Sequence, residues 1–226
     1  MIQCIGVGPG SLDYLTMKSL ALISEADVVA GFDSVLNVIS PVIPPQAQIV
    51  TMNYSNQVQK LSSVAESHRL GLRCIVAFMG DIHFSGFQYL ERVENACGHP
   101  VETIPGISSS QLLASKAKIC FDETTFITFH RRGDLDPFRR HLVRVLEDNR
   151  NAIILPRPYD FMPVEIAQYL LDNGITGTQQ IEIWENLCGL ETSWSGSVTE
   201  LAAESRVFSD MTICLVRSLT KFPSQL

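Results

Sequence analysis

Cys4-Ile5-Gly6-Val7-Gly8-Pro9-Gly10-Ser11, followed by Leu12-Asp13-Tyr14-Leu15-Thr16, decides how this chain is read. An apolar run from Met1 to Val7 ends abruptly in glycines and a proline, and a helical pattern begins at about Thr16. That predicts a strand, a tight loop and a helix, with backbone rather than side chains presented at the bend. Glycine allows positive φ and close approach of a ligand, whereas Pro9 stiffens the loop and removes one donor. The stretch superficially matches the dinucleotide fingerprint GxGxxG. Ser11 stands where that pattern needs its third glycine, Pro9 interrupts it, and Asp33 at the ribose-acid spacing does not compensate. A nicotinamide-dependent oxidoreductase is therefore disfavoured, and an ordinary strand-to-helix turn remains the bland alternative.

Outward from this loop, apolar strand patterns and helical patterns alternate. Helices are predicted over Thr16–Ser24 (Thr16 as N-cap), Gln57–Arg69, Phe87–Cys97 and Gln111–Ala117, with a helical turn over Val35–Ile39. Strands are predicted over Ala26–Ala30, stopped by Gly31, and over Ile49–Met52, Arg73–Met79 and Pro100–Ile104. The nearly continuous apolar run from Arg73 to Met79 is that of a strand buried on both faces of a parallel sheet. From Thr124 the rhythm restarts: strand Phe126–Phe129, the basic loop His130 to Asp136, helix Pro137–Leu146, strand Ala152–Leu155 and helix Pro163–Leu171. Strands Gln180–Trp184 and Met211–Val216 then bracket Glu191 to Ser205, and a frayed tail is expected from Thr220 to Leu226. The expected fold is α/β, with two α/β lobes (1–121 and 122–226) and a cleft between them. Ligands of open α/β sheets sit beyond the carboxyl ends of the strands.

The chain has 226 residues, 46% hydrophobic and 18% charged, the profile of a globular protein, and its net charge of −7 argues against broad nucleic-acid binding. No apolar run reaches the roughly 18 residues needed to cross a membrane. No basic region followed by an apolar stretch and cleavage site opens the chain, so no signal peptide is expected. Cys4, Cys74, Cys97, Cys120, Cys188 and Cys214 form no CxxC pair, so neither a zinc site nor a disulfide framework is expected, and a cytoplasmic setting fits. Arg131-Arg132 with Arg139-Arg140 is the one dense basic cluster. It is either a solvated face or a grip for a substrate bearing carboxylates.

Two further loops carry chemistry. Gly80-Asp81-Ile82-His83-Phe84-Ser85-Gly86 places a carboxylate directly after a buried strand, where it either faces a ligand crevice or caps the next helix. His83 has no partner at metal-site spacing and reads as a loop residue. Pro105-Gly106-Ile107-Ser108-Ser109-Ser110 opens a helix, so its N–H groups and hydroxyls suit polar ligand atoms as well as capping. No Gly-x-Ser-x-Gly elbow and no P-loop is present.

Taken together, Gly-x-Gly-Pro-Gly followed by Leu15-Thr16, then Gly-Asp, then Pro-Gly-Ile-Ser-Ser, resembles the ordered motif set of the tetrapyrrole methylases, S-adenosylmethionine-dependent enzymes of corrin and sirohaem synthesis. The resemblance covers almost the whole chain. Phe129-His130-Arg131-Arg132-Gly133 and Glu185-Asn186-Leu187-Cys188-Gly189 with Glu191 are similar to segments of the branch that methylates C5 of precorrin-6Y or cobalt-precorrin-7 in cobalamin synthesis. Ile82 departs from the family's usual Pro, and the extra Arg131 departs from that branch's shorter loop.

The resemblance implies that Pro9, Asp81, Phe84, Ser108 and Ser109 line S-adenosylmethionine (and its product S-adenosylhomocysteine), with Leu155 and Pro156 closing over the adenine. It implies that Gly8, Gly10, Arg131 and Arg132 meet a tetrapyrrole carrying peripheral carboxylates, with Arg139 either a further contact or part of a solvated basic helix start. His130 is the candidate base, a structural loop histidine being the competing reading. No metal, nucleic acid or membrane is implied. A homodimer is expected, with a separate subunit for the C15 methylation and decarboxylation that fused homologues carry. Alternatives are another methylase of the same fold, acting at a different ring carbon or as a diphthine synthase, and a non-catalytic nucleotide- or tetrapyrrole-binding module.

Overall fold

The computed structural model describes residues 2–219, so the expected fraying of 220–226 lies outside the described residues. The chain forms two compact units, Met1–Ser109 and Ser110–Leu226. Each is an α/β sheet with helices, and the division falls ahead of the 121/122 boundary read from the sequence.

The first unit contains β1 (Ile2–Gly6), α1 (Met17–Ser24), β2 (Val28–Phe32), α2 (Asp33–Ile39), β3 (Gln48–Met52), α3 (Gln57–Arg69), β4 (Cys74–Phe78), α4 (Phe87–Cys97) and β5 (Glu102–Ile104). All its strand pairs are parallel, in the order β3-β2-β4-β1-β5. The unbroken apolar run of β4 has the expected cause. Cys74, Val76 and Phe78 pack into one core layer with Leu61, Val64 and Val93, whereas Ile75 and Ala77 pack into the other with Ile5, Val29 and Ile39. Both faces are covered, and burial lifts the thiols of Cys4 and Cys74 well above the ordinary cysteine range. Thr16 caps α1 as expected, its Oγ1 accepting the Ser19 N–H at 3.1 Å.

Gly31 does not stop β2: pairing continues to Phe32 opposite Met52. The glycine marks close neighbours instead, since a Cβ there would lie 3.4 Å from both the Ala77 carbonyl and Leu36 Cδ2.

The second unit follows α5 (Ser109–Ala117) with β6 (Thr124–Thr128), α6 (Asp136–Glu147), β7 (Asn151–Leu155), α7 (Pro163–Asp172), β8 (Gln180–Glu185), β9 (Thr192–Ser197), α8 (Val198–Ala202) and β10 (Thr212–Val216). Its sheet, ordered β6-β7-β10-β8-β9, is mixed: among the described residues β6 pairs with β7 in parallel and the other three pairings are antiparallel. Strand β9 lies inside the bracketed stretch 191–205 and carries no strand pattern, because Thr-Ser-Trp-Ser-Gly-Ser is polar apart from Trp194. What makes it a strand is its full antiparallel pairing with β8, from Gln180↔Ser197 to Glu185↔Thr192. Ser197 then starts α8 through a capping box with Glu200.

Candidate functional site

Parallel strands deliver their carboxyl ends to one edge of a sheet, so the loops after β1, β4 and β5 leave the first unit side by side. They are stitched together by backbone. Val7 N donates to the Phe78 carbonyl at 2.9 Å, Gly8 N to Gly80 O at 3.3 Å, and Gly80 N returns to Gly8 O at 2.7 Å. Glycine is required at this junction. A Cβ on Gly6 would stand 2.5 Å from Gly80 O and 2.6 Å from Gly106 N, and Gly8 and Gly80 have φ of +86° and +65°.

Asp81 joins the second loop to the third. Its Oδ2 accepts the Gly106 N–H at 3.0 Å and its Oδ1 accepts the His83 N–H at 2.9 Å. It is not the cap of α4, whose N-cap is Gly86. The Gly80 Cβ position lies 3.8 Å from Ser108 Cα and 4.0 Å from Ser109 N, and Phe84 N donates to Asp81 O at 3.4 Å. Gly8, Pro9, Asp81, Phe84, Ser108 and Ser109 are thus gathered at one strand-end edge, with Gly10 further along the first loop. Gly8 and Pro9 are buried, whereas Gly10, Asp81 and Phe84 are partly exposed.

Side chains are absent where the backbones converge, and the partly exposed Asp81 carboxylate accepts one backbone N–H on each oxygen. Replacing Asp81 by Ala removes both clamps. The expected result is a roughly 10- to 100-fold weaker affinity for S-adenosylhomocysteine by calorimetry, in line with losing charge-assisted hydrogen bonds, with the far-ultraviolet spectrum unchanged. Undiminished affinity would remove Asp81 from the site.

In the second unit, β6 and β7 end beside each other, and Phe129 N donates to the Leu155 carbonyl at 2.8 Å. The loop 129–135 and the segment Leu155-Pro156 are therefore neighbours. Pro156 is buried and Leu155 partly so. His130 N is held by Thr128 Oγ1 at 3.1 Å. Protein crowded around the His130 ring lowers its pKa, with Asp210 opposing the shift, although the residue keeps solvent access. Arg131 lies with its guanidinium carbon 3.9 Å from the Phe138 ring centroid, and Arg132 is exposed. Arg139 is held within the unit: it stacks 4.3 Å from the Phe161 centroid and pairs with Asp136.

Glu185 has a structural post. It is 5% exposed and accepts the Ser209 N–H at 2.6 Å, the Thr192 hydroxyl at 2.9 Å and the Arg206 guanidinium. Glu191 pairs with Lys116 at 2.8 Å. Sequence reasoning missed Arg157, whose Nη1 donates to the Gly133 carbonyl at 3.3 Å and so ties the loop after β7 to the loop after β6. An arginine between two prolines just past a strand was its only signal. Among the described residues no group of three or more His, Cys, Asp or Glu side chains is arranged to hold a metal ion, and no helix is long and apolar enough to cross a membrane.

The profile of the tetrapyrrole (corrin/porphyrin) methylases matches residues 1–202. The chain belongs to that family, and its enzyme class is that of the S-adenosylmethionine-dependent methyltransferases. It is 29% identical over 217 residues, 95% of this chain and 97% of the relative, to a probable cobalt-precorrin-7 C(5)-methyltransferase of Methanocaldococcus jannaschii. Among solved structures, it superimposes with a TM-score of 0.68 and 22% identity on a precorrin-6Y methylase from Archaeoglobus fulgidus, covering 97% of this chain and 99% of that one. It also superimposes with a TM-score of 0.70 and 21% identity on a uroporphyrin-III C-methyltransferase from Thermus thermophilus in complex with S-adenosylhomocysteine, covering 96% of each chain. At those identities the structures establish the fold.

Proposed function

We propose that this protein methylates C5 of a corrin-pathway tetrapyrrole, cobalt-precorrin-7 or precorrin-6Y, in cobalamin biosynthesis. The observation that carries the methyltransferase reading is the glycine-cornered junction of the loops after β1, β4 and β5, clamped by Asp81. The full-length similarity to a probable cobalt-precorrin-7 C(5)-methyltransferase supports the choice of ring carbon.

In this reading Pro9, Asp81, Phe84, Ser108 and Ser109 bind S-adenosylmethionine, together with Leu155 and Pro156. Gly8, Gly10, Arg131 and Arg132 meet the tetrapyrrole. The cofactor supplies an electrophilic methyl group on a sulfonium. The chain has to hold the acceptor carbon in line with it, and that positioning is worth much of the rate. Asp81 contributes negative charge near the sulfonium as well as its loop clamps. Arg131 and Arg132 grip peripheral carboxylates. The tetrapyrrole is the nucleophile, so no activated serine or cysteine is needed. A ring nitrogen of His130 takes up the proton released.

Because its pKa is lowered, His130 stays neutral, and able to accept a proton, to a lower pH than an ordinary histidine. His130→Ala is expected to reduce kcat by about 100-fold, the usual scale for general-base loss, with S-adenosylhomocysteine affinity kept. An unaltered kcat would assign His130 to loop structure. The protein works as a cytoplasmic homodimer on a small molecule, without nucleic acid or membrane, alongside a separate C15-methylating and decarboxylating subunit. Calorimetry with S-adenosylmethionine and S-adenosylhomocysteine tests the reading: micromolar binding is expected, and binding of neither would refute it.

A further inference from the structure

Between β7 and α7 the chain makes a small closed loop, Pro156-Arg157-Pro158-Tyr159-Asp160-Phe161, and Tyr159 at its tip has two unusual properties. Its φ is +79°, in the left-handed region, and it is 94% exposed. A bulky residue is strained at such φ and stays there only when surrounding contacts over-determine the backbone. They do here. Arg157 N donates to Phe161 O at 3.1 Å, Phe161 N returns to Arg157 O at 3.2 Å, and Arg157 Nε meets Asp160 Oδ1 at 2.6 Å. The base is anchored by Phe161, buried 4.7 Å from the Phe129 ring centroid. The Arg157–Gly133 bond fixes this loop to the one bearing Arg131 and Arg132.

Folding gains little from a tyrosine ring left in solvent, and glycine or asparagine would occupy the same backbone conformation with less strain. We infer that Tyr159 is a specificity-determining residue whose ring stacks on the flat face of the tetrapyrrole, beside the arginines that take its carboxylates. This deepens the proposed function and rests on its substrate class. Adenine would use the aromatic ring but has no charge for the neighbouring cations, whereas a polycarboxylate macrocycle uses both.

The test uses the full chain and two titrations: uroporphyrin III, a planar tetrapyrrole with peripheral carboxylates, followed by its absorbance, and S-adenosylhomocysteine by calorimetry. Tyr159→Ala is expected to raise the tetrapyrrole Kd about tenfold, the scale of one lost aromatic stack, and to leave S-adenosylhomocysteine affinity unchanged. Tyr159→Phe keeps wild-type binding. Tyr159→Gly weakens the tetrapyrrole as alanine does while raising Tm, because it releases the strained φ; a merely structural tyrosine would not separate the two readouts. Wild-type tetrapyrrole affinity in Tyr159→Ala, or a loss confined to S-adenosylhomocysteine, overturns the inference alone. A wild-type protein that binds S-adenosylhomocysteine but no uroporphyrin III overturns the stacking inference, and the substrate reading falls with it only if cobalt-precorrin-7 and precorrin-6Y also fail to bind.

Discussion

Gly106→Val is expected to abolish cofactor binding. The position is enclosed by backbone: a Cβ there would meet the Gly80 carbonyl and stand 2.7 Å from Gly6 C. Backbone atoms cannot rotate away as a flexible side chain would, so the loop after β5 must move away from the end of β1 and from the loop after β4. Overpacking of this kind costs about 3 kcal/mol. Displacing the Gly106 N–H from Asp81 Oδ2 removes a clamp in the same step. The expected readout is a loss of S-adenosylhomocysteine affinity of at least about 100-fold, together with a lower Tm. Gly98→Ala is the control. Gly98 has φ of +80° but nothing within 4 Å of its Cβ position, so it isolates backbone strain from collision. It should cost about 1 kcal/mol and leave binding alone. Equal binding by Gly106→Val and wild type would mean the junction is not where the cofactor sits.

Glu185→Ala has the largest effect expected in the second unit. The buried carboxylate joins the end of β8 to Thr192, Arg206 and Ser209, and its loss leaves the Arg206 guanidinium and the Ser209 N–H without that acceptor. Breaking a buried pair costs about 3–5 kcal/mol, and the low end applies because the Arg206 side chain is 35% exposed. Thermal melting should fall by about 6–12 °C for a chain of this size. Acid should mimic the substitution. Burial works against ionisation of Glu185, but hydrogen bonds from Ser209 and Thr192 and the charge of Arg206 outweigh it, and the folded pKa lies below the ordinary 4.5. A carboxyl lowered on folding contributes its full stability above the unfolded value and loses it as the pH falls through the folded one. The wild type should therefore lose stability below about pH 4.5, and Glu185→Gln should show a shallower acid limb in pH-dependent melting. Parallel acid limbs would show that Glu185 is not the group being protonated.

What the sequence made legible follows from how directly each feature is written in local pattern. The first unit was readable because a parallel sheet covered on both faces needs long apolar strands such as Cys74 to Phe78, and because its turns need glycine at fixed places. The meeting of the loops around Gly8, Asp81 and Ser108 at one strand-end edge was legible for the same reason. Thr16 could be read as a cap because capping is local. The edge strand Thr192–Ser197 could not, since its conformation comes from pairing with β8 and its residues have little apolar signal. Gly31 misled because a glycine that stops a strand and one that admits a neighbouring carbonyl look alike in sequence. Asp81 reads in sequence as either a ligand-facing carboxylate or a helix cap, and its bond to Gly106 is not written locally, because it joins loops far apart in the chain. Arg139 stands in a basic cluster that reads as a solvated face or a substrate grip, and its stacking on Phe161 and Tyr169 is not legible because those rings lie far along the chain.

Transfer of a methyl group to C5 of a corrin intermediate is read out by the regiochemistry of the product. The protein is incubated with S-adenosylmethionine labelled with carbon-13 in its methyl group, and with cobalt-precorrin-7 and precorrin-6Y in separate reactions; the product is read by carbon-13 NMR. One new labelled methyl resonance is expected, correlated to C5 of the macrocycle. Label at any other ring carbon, or no transfer to either substrate by protein that binds S-adenosylhomocysteine, would contradict C5 methylation.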